Sequence, residues 1–542
     1  MPSLARRGIS LRSAALALAL AAFAAAAQQQ PPTPGTILDT IEPRKPGIPG
    51  APPQLLFPAD EAREPVSREG RRFQVQGFRF VGNTVFTQAE LRRLVERWLD
   101  LELNLFDLNR AADRITRYYR DRGYPIARAI VPAQRVEAGL VTIEIVEGRI
   151  GRIVFEGARR YSDAFLRQRT LPLAEGLVTA EQLERSMLML NDLPGLTALA
   201  TLQPGAEFGT SDAVIKLQEK PASLVAQVNN HGRREAGQWR IDATGELNNP
   251  TGLGDALSLR VIRSEHDLLR SARIGYTIPV GAHGWRFAFA HTEVDYKVGG
   301  EFAALAIEGA ARTTEAIVSY PWVRSRARNV FLSGGVRKTV TRQTALATPV
   351  VEGDLTVLTL GIAGNWVHED SSATTAAFGF TGNFKEANVT RADRMRAKYE
   401  LEGTHLTGIS PRWDMFLRGL YVGGAGALPD SEKFALGGPD SVRAFRPAEL
   451  RGDDGYLFQI EFRRQFAALR IPGTWSIFFD QGGVTNAGFA GKDSLRGMGA
   501  GVTLFPTRAT RAKLEFAVPV NEFRPGDGKK GGRFLFNLAI AF

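Results

Sequence analysis

Two kinds of hydrophobic pattern divide the chain. Between Phe73 and Pro221, apolar residues recur at the three-and-four spacing of a helix face, broken by short strand-like runs. Leu91, Leu94, Val95 and Trp98 form one stripe behind the capping box Thr87-Gln88-Ala89-Glu90. Ala111, Ile115 and Tyr118 form another, on a helix expected to start near Asp107 and stop at Gly123. With strands at Phe73–Val81, Ile126–Val131 and Val141–Val146, the order is β-α-α-β-β. The plan then repeats. Arg152–Phe155 reads as a strand, Ser162 caps a helix around Phe165, and the box Thr179-Ala180-Glu181-Gln182 opens a helix bearing Leu183, Met187 and Leu190. Strands near Ala198–Leu202 and Ala213–Leu217 complete it. Two units on one plan are an internal repeat, and they are expected at residues 73–148 and 149–221.

Beyond Pro221 the helical period disappears. From 222 to 542 the chain is a series of alternating segments of about ten residues, separated by Gly, Asp, Asn and Pro clusters. Tyr456, Phe458, Ile460 and Phe462 alternate with Leu457, Gln459, Glu461 and Arg463. Ala512, Leu514, Phe516 and Val518 alternate with Arg511, Lys513, Glu515 and Ala517. The last segment puts Phe534, Phe536, Leu538, Ile540 and Phe542 on one face. About sixteen such segments are expected, an even number, as in closed bacterial barrels. In lipid an open sheet edge leaves backbone donors and acceptors unsatisfied, so only a closed barrel spans. The predicted fold is therefore a transmembrane β-barrel of about 16 antiparallel strands behind two periplasmic α+β modules.

Composition agrees with strands rather than helices in the membrane. Hydrophobic residues make up 44% of the chain and charged residues 23%, and mean hydropathy is −0.14. After the leader no apolar run approaches the ~20 residues of a transmembrane helix. At the start, Arg6, Arg7 and Arg12 precede the apolar run Ala14 to Ala27, which reads as a secretory signal peptide over residues 1–27. Residues 28–72 are Pro-rich and read as an extended linker, with a short amphipathic helix at Ile37–Glu42. The net charge of +11 is spread along the chain with no aromatic-basic module, so no nucleic-acid partner is expected.

No catalytic chemistry is expected. The absence of cysteine excludes disulfides, thiolate nucleophiles and thiolate metal sites. His231, His266, His283, His291, His368 and His405 are scattered singly, without metal spacing. Gly488 to Ser494 imitates a phosphate loop, but aspartate follows the lysine where Ser or Thr would bind Mg²⁺. The expectation is no enzyme, no cofactor and no metal.

One connection breaks the barrel rhythm. About thirty residues separate a strand ending near Val422 from one starting near Gly455, far longer than its neighbours. Counted from a periplasmic first strand, it follows the eleventh and lies on the extracellular side. It carries Gly437-Gly438-Pro439-Asp440-Ser441-Val442-Arg443-Ala444-Phe445. A barrel this wide leaves an aqueous channel unless something fills it, which favours a loop folded inward. In Trp475 to Asp480, Trp475, Ile477 and Phe479 sort toward lipid, and Ser476, Phe478 and Asp480 toward the lumen. Arg443 then has two readings: a bidentate pair with Asp480 beside Gly482 and Gly483, or an ordinary lumen charge meeting other neighbours.

These features together resemble a family, the two-partner secretion transporters (TpsB) of the barrel-insertase superfamily, and the repeats resemble POTRA domains. Val442-Arg443-Ala444-Phe445 resembles the family's V-R-G-[YF] loop motif, with Ala444 in the glycine position. Phe478-Phe479-Asp480-Gln481-Gly482 resembles its F-x-D-x-G strand motif. The resemblance implies an outer-membrane transporter of type V secretion, with the POTRA domains in the periplasm. Its partner would be one large exoprotein of adhesin or haemolysin type, caught by an N-terminal secretion domain and secreted to the cell surface. Strand addition to a POTRA edge suits that capture, because backbone pairing tolerates many sequences. Ile37–Glu42 would match the family's plug helix, and Phe542 the terminal aromatic read by the barrel assembly machinery. A monomer in outer-membrane lipid is implied. A barrel-assembly insertase and a passive porin are the alternatives. If the motif glycine is needed for a positive φ, Ala444 is strained there.

Overall fold

The computed structural model describes residues 31–41, 70–174, 176–388, 397–468, 470–489, 491–521 and 531–542. The expected signal peptide and most of the Pro-rich segment lie outside them.

In the first module, strands Gly77–Val81, Leu140–Val146 and Arg128–Ile130 form a sheet in that order, the first pair parallel. Helices Gln88–Val95 and Leu105–Asp121 cover one face and bury Leu91, Ile115 and Tyr119 against Phe80, Val141 and Ile143. The capping box at Thr87 forms as expected from its residues. Three details differ from the sequence reading. Phe73–Val81 is not one strand: the amides of Gln76 and Gly77 both turn to the Gly139 carbonyl, and Phe73–Val75 pairs instead with Leu101–Leu103. That second strand was not anticipated. The following helix starts at Leu105, because the Asn104 side chain accepts from the Asp107 amide and caps it.

Glu147 sits at the end of this sheet as a buried carboxylate. It accepts the amides of Thr84 and Val85 at 2.7 and 2.8 Å, the Thr84 hydroxyl, and the Tyr119 hydroxyl at 2.9 Å. Burial pushes its pKa up, but these donors outweigh it and hold the carboxyl below its ordinary value. Tyr119 is pushed up by the same burial and by the carboxylate beside it.

The second module repeats the plan with strands Arg149–Glu156, Thr210–Glu219 and Leu196–Pro204, and helices Asp163–Ala174 and Ala180–Asn191. Its helix end meets the periplasmic rim of the barrel. Asp192 receives Arg324 through two bonds of 2.9 and 2.7 Å, and Glu184 pairs with Arg326.

Sixteen antiparallel strands, from Ala222–Asn229 to Arg533–Ala541, close into a barrel. An even count makes the closing seam antiparallel too, with Asn537–Ala541 paired to Val225–Asn229. Alternation sets the faces: Ile241, Leu259, Phe289 and Ile477 stand exposed, while Asp242, Gln459 and Asp480 are shut in the lumen. Aromatic pairs mark two girdles, Trp285–Tyr320 and Phe466–Trp475 near the periplasmic ends, Tyr399–Tyr421 near the extracellular ends. Among the described residues no helix is long and apolar enough to cross a membrane.

Candidate functional site: the filled pore

The long connection, residues 425–453, does follow the eleventh strand (Trp413–Gly424), and it folds into the lumen. A small hairpin, Phe434–Leu436 with Leu450–Gly452, forms its stem. The hairpin needs room at the wall. A Cβ on Gly482 would stand 2.7 Å from the Leu436 side chain, so this glycine lets the loop approach. At the tip, Val442, Ala444 and Phe445 are buried with Leu457, Phe478, Val484 and Leu495 of strands twelve to fourteen.

Arg443 is fixed from every side. Its Nε and Nη2 donate to the two oxygens of Asp480, each at 2.9 Å, and its backbone amide adds a third bond at 3.1 Å. Nη1 donates to Glu461 at 2.7 Å and to Glu515 at 2.9 Å. The guanidinium carbon lies 3.3 Å from the centre of the Phe478 ring. Arg463 pairs with Glu461 and Lys513 with Glu515, both between 2.8 and 2.9 Å, so three cations face three carboxylates. Of the two sequence readings of Arg443, the structure has the bidentate pair with Asp480, and Glu461 and Glu515 join it.

Gln459 ties loop to wall, donating to Asp480 and to the Ser441 carbonyl at 3.1 and 2.8 Å. Arg418, 1% exposed, donates to Glu402 and to the Asp440 carbonyl. Sequence reasoning placed Glu461 and Glu515 on the polar faces of their strands but not at this clasp, and it missed Arg418. Ala444 does not adopt a positive φ, so it carries no left-handed strain. Its methyl sits against the wall where strand fourteen has Gly497: a Cβ there would stand 2.5 Å from that of Ala444.

The second filling element is the helix Pro34–Ile41, longer at its start than the expected Ile37–Glu42. Thr33 caps it and Pro34 opens it, the position proline favours. Ile37 and Ile41 are buried with Ile262, Val294 and Tyr296 of the wall strands and with Phe302 of the connection that follows Trp285–Lys297. Asp430 of the loop accepts the Gly35 amide at 2.7 Å and the Thr33 hydroxyl at 3.0 Å. Arg451 bridges Asp430 and Asp39, the latter at 3.0 Å. Loop and helix therefore share one ionic clasp. Two residues beyond Asp430, Glu432 takes Arg337 of strand seven and Lys398 of strand ten and ties the same turn of the loop to the wall.

Phe542 stands exposed on the lipid side and pairs its amide with the Leu224 carbonyl at 2.8 Å, extending the seam. Among the described residues no group of three or more His, Asp or Glu could hold a metal.

Residues 209–504 match the model of the haemolysin secretion/activation proteins ShlB/FhaC/HecB, and residues 73–148 match the ShlB-type POTRA domain. The chain is 29% identical over 413 residues to the heme/hemopexin transporter protein HuxB of Haemophilus influenzae, covering 72% of each. It is 24% identical to the outer membrane transporter CdiB of Escherichia coli over 81% of this chain and 76% of that one. The solved structure of Escherichia coli CdiB superposes with a TM-score of 0.71 at 20% identity, over 99% of this chain and all of the other.

Proposed function

The chain belongs to the haemolysin secretion/activation family, outer-membrane transporters of two-partner secretion with periplasmic POTRA domains, and on that premise we propose how it selects and passes its cargo. The cargo is one large exoprotein that reaches the periplasm unfolded and presents an N-terminal secretion domain to the arm. Relatives bear names tied to heme/hemopexin and haemolysin transport, so an adhesin, haemolysin or heme-scavenging protein is the class to look for. The arm holds the cargo by strand addition, which reads backbone rather than sequence. The barrel then conducts it outward as a monomeric conduit, without catalysis, cofactor or metal, after the barrel assembly machinery has inserted it.

The observation that carries this reading is a pore filled by two elements that pack on the wall through a few apolar side chains and are clasped there by ion pairs and hydrogen bonds. A passive porin would have neither a receptor-like arm nor a lumen closed in this way. Such polar clasps can be remade around a different chain. Val442, Arg443, Ala444 and Phe445 on the loop, with Phe478, Asp480 and Gly482 on the wall, hold the loop in register with the pore during passage. Phe542 serves as the assembly signal.

The neighbouring gene is expected to encode a large β-helical exoprotein, and the test is the secretion of that protein. Removing residues 73–221 is expected to abolish its appearance in the medium, while the barrel still reaches the outer membrane and runs as a folded band. Export that persists without the arm would refute its role as receptor.

A further inference from the structure

The plug helix Pro34–Ile41 is held along its whole length. At its start Asp430 accepts the Thr33 hydroxyl and the Gly35 amide, and farther along Arg451 pairs with Asp39. At its end two arginines of the wall meet the main chain. Arg240 Nη1 donates to the Thr40 carbonyl at 2.9 Å, and Arg260 Nη1 donates to the Ile41 carbonyl at 3.2 Å. Arg240 Nη2 also donates to the Thr40 hydroxyl, at 3.1 Å. The last carbonyls of a helix lack intrahelical partners, so any extended polypeptide offers the same acceptors.

The two arginines are built in place rather than recruited by the helix. They lie on adjacent strands, Arg240–Asn248 and Ala256–Ser264. Arg240 is buried, with its Nε directed at the Gly237 carbonyl. Arg260 grips Asp242 through Nε and Nη2, at 3.1 and 2.6 Å, and Asp242 is steadied by Gln227 at 2.8 Å. Beside them a cavity of about 550 Å³ runs from Thr40 to Glu461, Arg463 and Lys513 at the loop clasp. Its lining carries both signs of charge, so a passing segment of either charge meets partners without being trapped by one.

We propose that Arg240 and Arg260 form a station for the main chain of the exported polypeptide, and that the last turn of the plug helix occupies it as a stand-in. This rests on the transport reading above. A transporter must hold a chain of changing sequence, and donors to peptide carbonyls are indifferent to side chains. The arrangement makes unplugging a competition: an entering chain takes over the two donors as the helix leaves them. No buried guanidinium is then left without an acceptor at any stage, which would otherwise oppose opening.

The test separates a station from a mere plug clasp by working without the plug. Transporter lacking residues 31–41 is purified, with and without Arg240→Gln and Arg260→Gln, and inserted in planar bilayers. The probe is a neutral Gly/Ser/Thr peptide of about twenty residues, long enough at ~3.3 Å per residue to cross the barrel. The loss of two charged donors is expected to shorten mean blockade times roughly tenfold or more. The Arg240→Lys, Arg260→Lys pair keeps charge and a donor, and is expected to give intermediate times. Heat-modifiable mobility and open-channel conductance verify that each barrel has folded; should the glutamine pair not fold, the lysine pair decides. Blockades of equal length in all variants would overturn the station and leave the transport reading standing. No blockade even with both arginines present would overturn the two together.

Discussion

In strand Leu140–Val146 of the arm, Val141, Ile143 and Ile145 point into a core closed by two helices. In strand Ile471–Thr485 of the barrel, Trp475 and Ile477 stand exposed, and Ser476, Phe478 and Asp480 are shut inside. The period of two is the same and its sense is reversed. The arm is stabilised by removing apolar surface from water. The barrel leaves that surface to lipid and is held by closing every backbone ladder, so its interior is free to be polar. The consequence is an interior organised by charge. A buried ionic cluster is costly unless every member is partnered, and at Arg443 every carboxylate is.

The comparison can be broken at several points. Arg443→Ala would take the cation from Asp480 while Glu461 and Glu515 keep Arg463 and Lys513, and removing one partner of such a cluster costs about 3–5 kcal/mol. Secretion is expected to fall at least tenfold, with folded barrel in the membrane little changed, as measured by exoprotein in the medium against heat-modifiable transporter. Wild-type secretion would remove the clasp from the mechanism.

A charge on each exposed face sharpens the contrast. Ile477→Arg meets lipid and is expected to destabilise the barrel by about 2–4 kcal/mol in urea titrations in lipid vesicles. Leu140→Arg, also exposed but facing water, is expected to shift the arm by no more than ~0.5 kcal/mol. Equal effects at the two sites would show that the outer wall is not a lipid face.

The last test concerns a buried charge in the arm alone. Glu147→Gln is expected to lower its stability by about 1–3 kcal/mol at neutral pH, since hydrogen bonds to a charged acceptor are lost. A carboxylate whose folded pKa is depressed stabilises above its unfolded pKa and loses that contribution as pH falls. The gap between wild type and Glu147→Gln should therefore narrow from pH 7 toward pH 4 in urea unfolding of residues 70–221. A gap independent of pH would mean that the Glu147 charge is not what the four donors hold.

The sequence by itself determined whatever is set by neighbours along the chain. Capping boxes at Thr87 and Thr179 fixed helix starts, and strand parity put Asp480 and Glu461 inside and Ile477 outside. Loop length singled out residues 425–453. Local pattern did not reveal that Phe73–Val81 breaks at Gln76, because the break comes from Gly139, in the turn before the strand Leu140–Val146. Nor could it bring Asp39 to Arg451, more than four hundred residues away, or choose Glu515 over other inward carboxylates as a third partner of Arg443. Those meetings depend on how far the closing sheet staggers its strands and on which lumen space the loop and helix fill. Both are properties of the closed cylinder, and no stretch of alternating residues carries them.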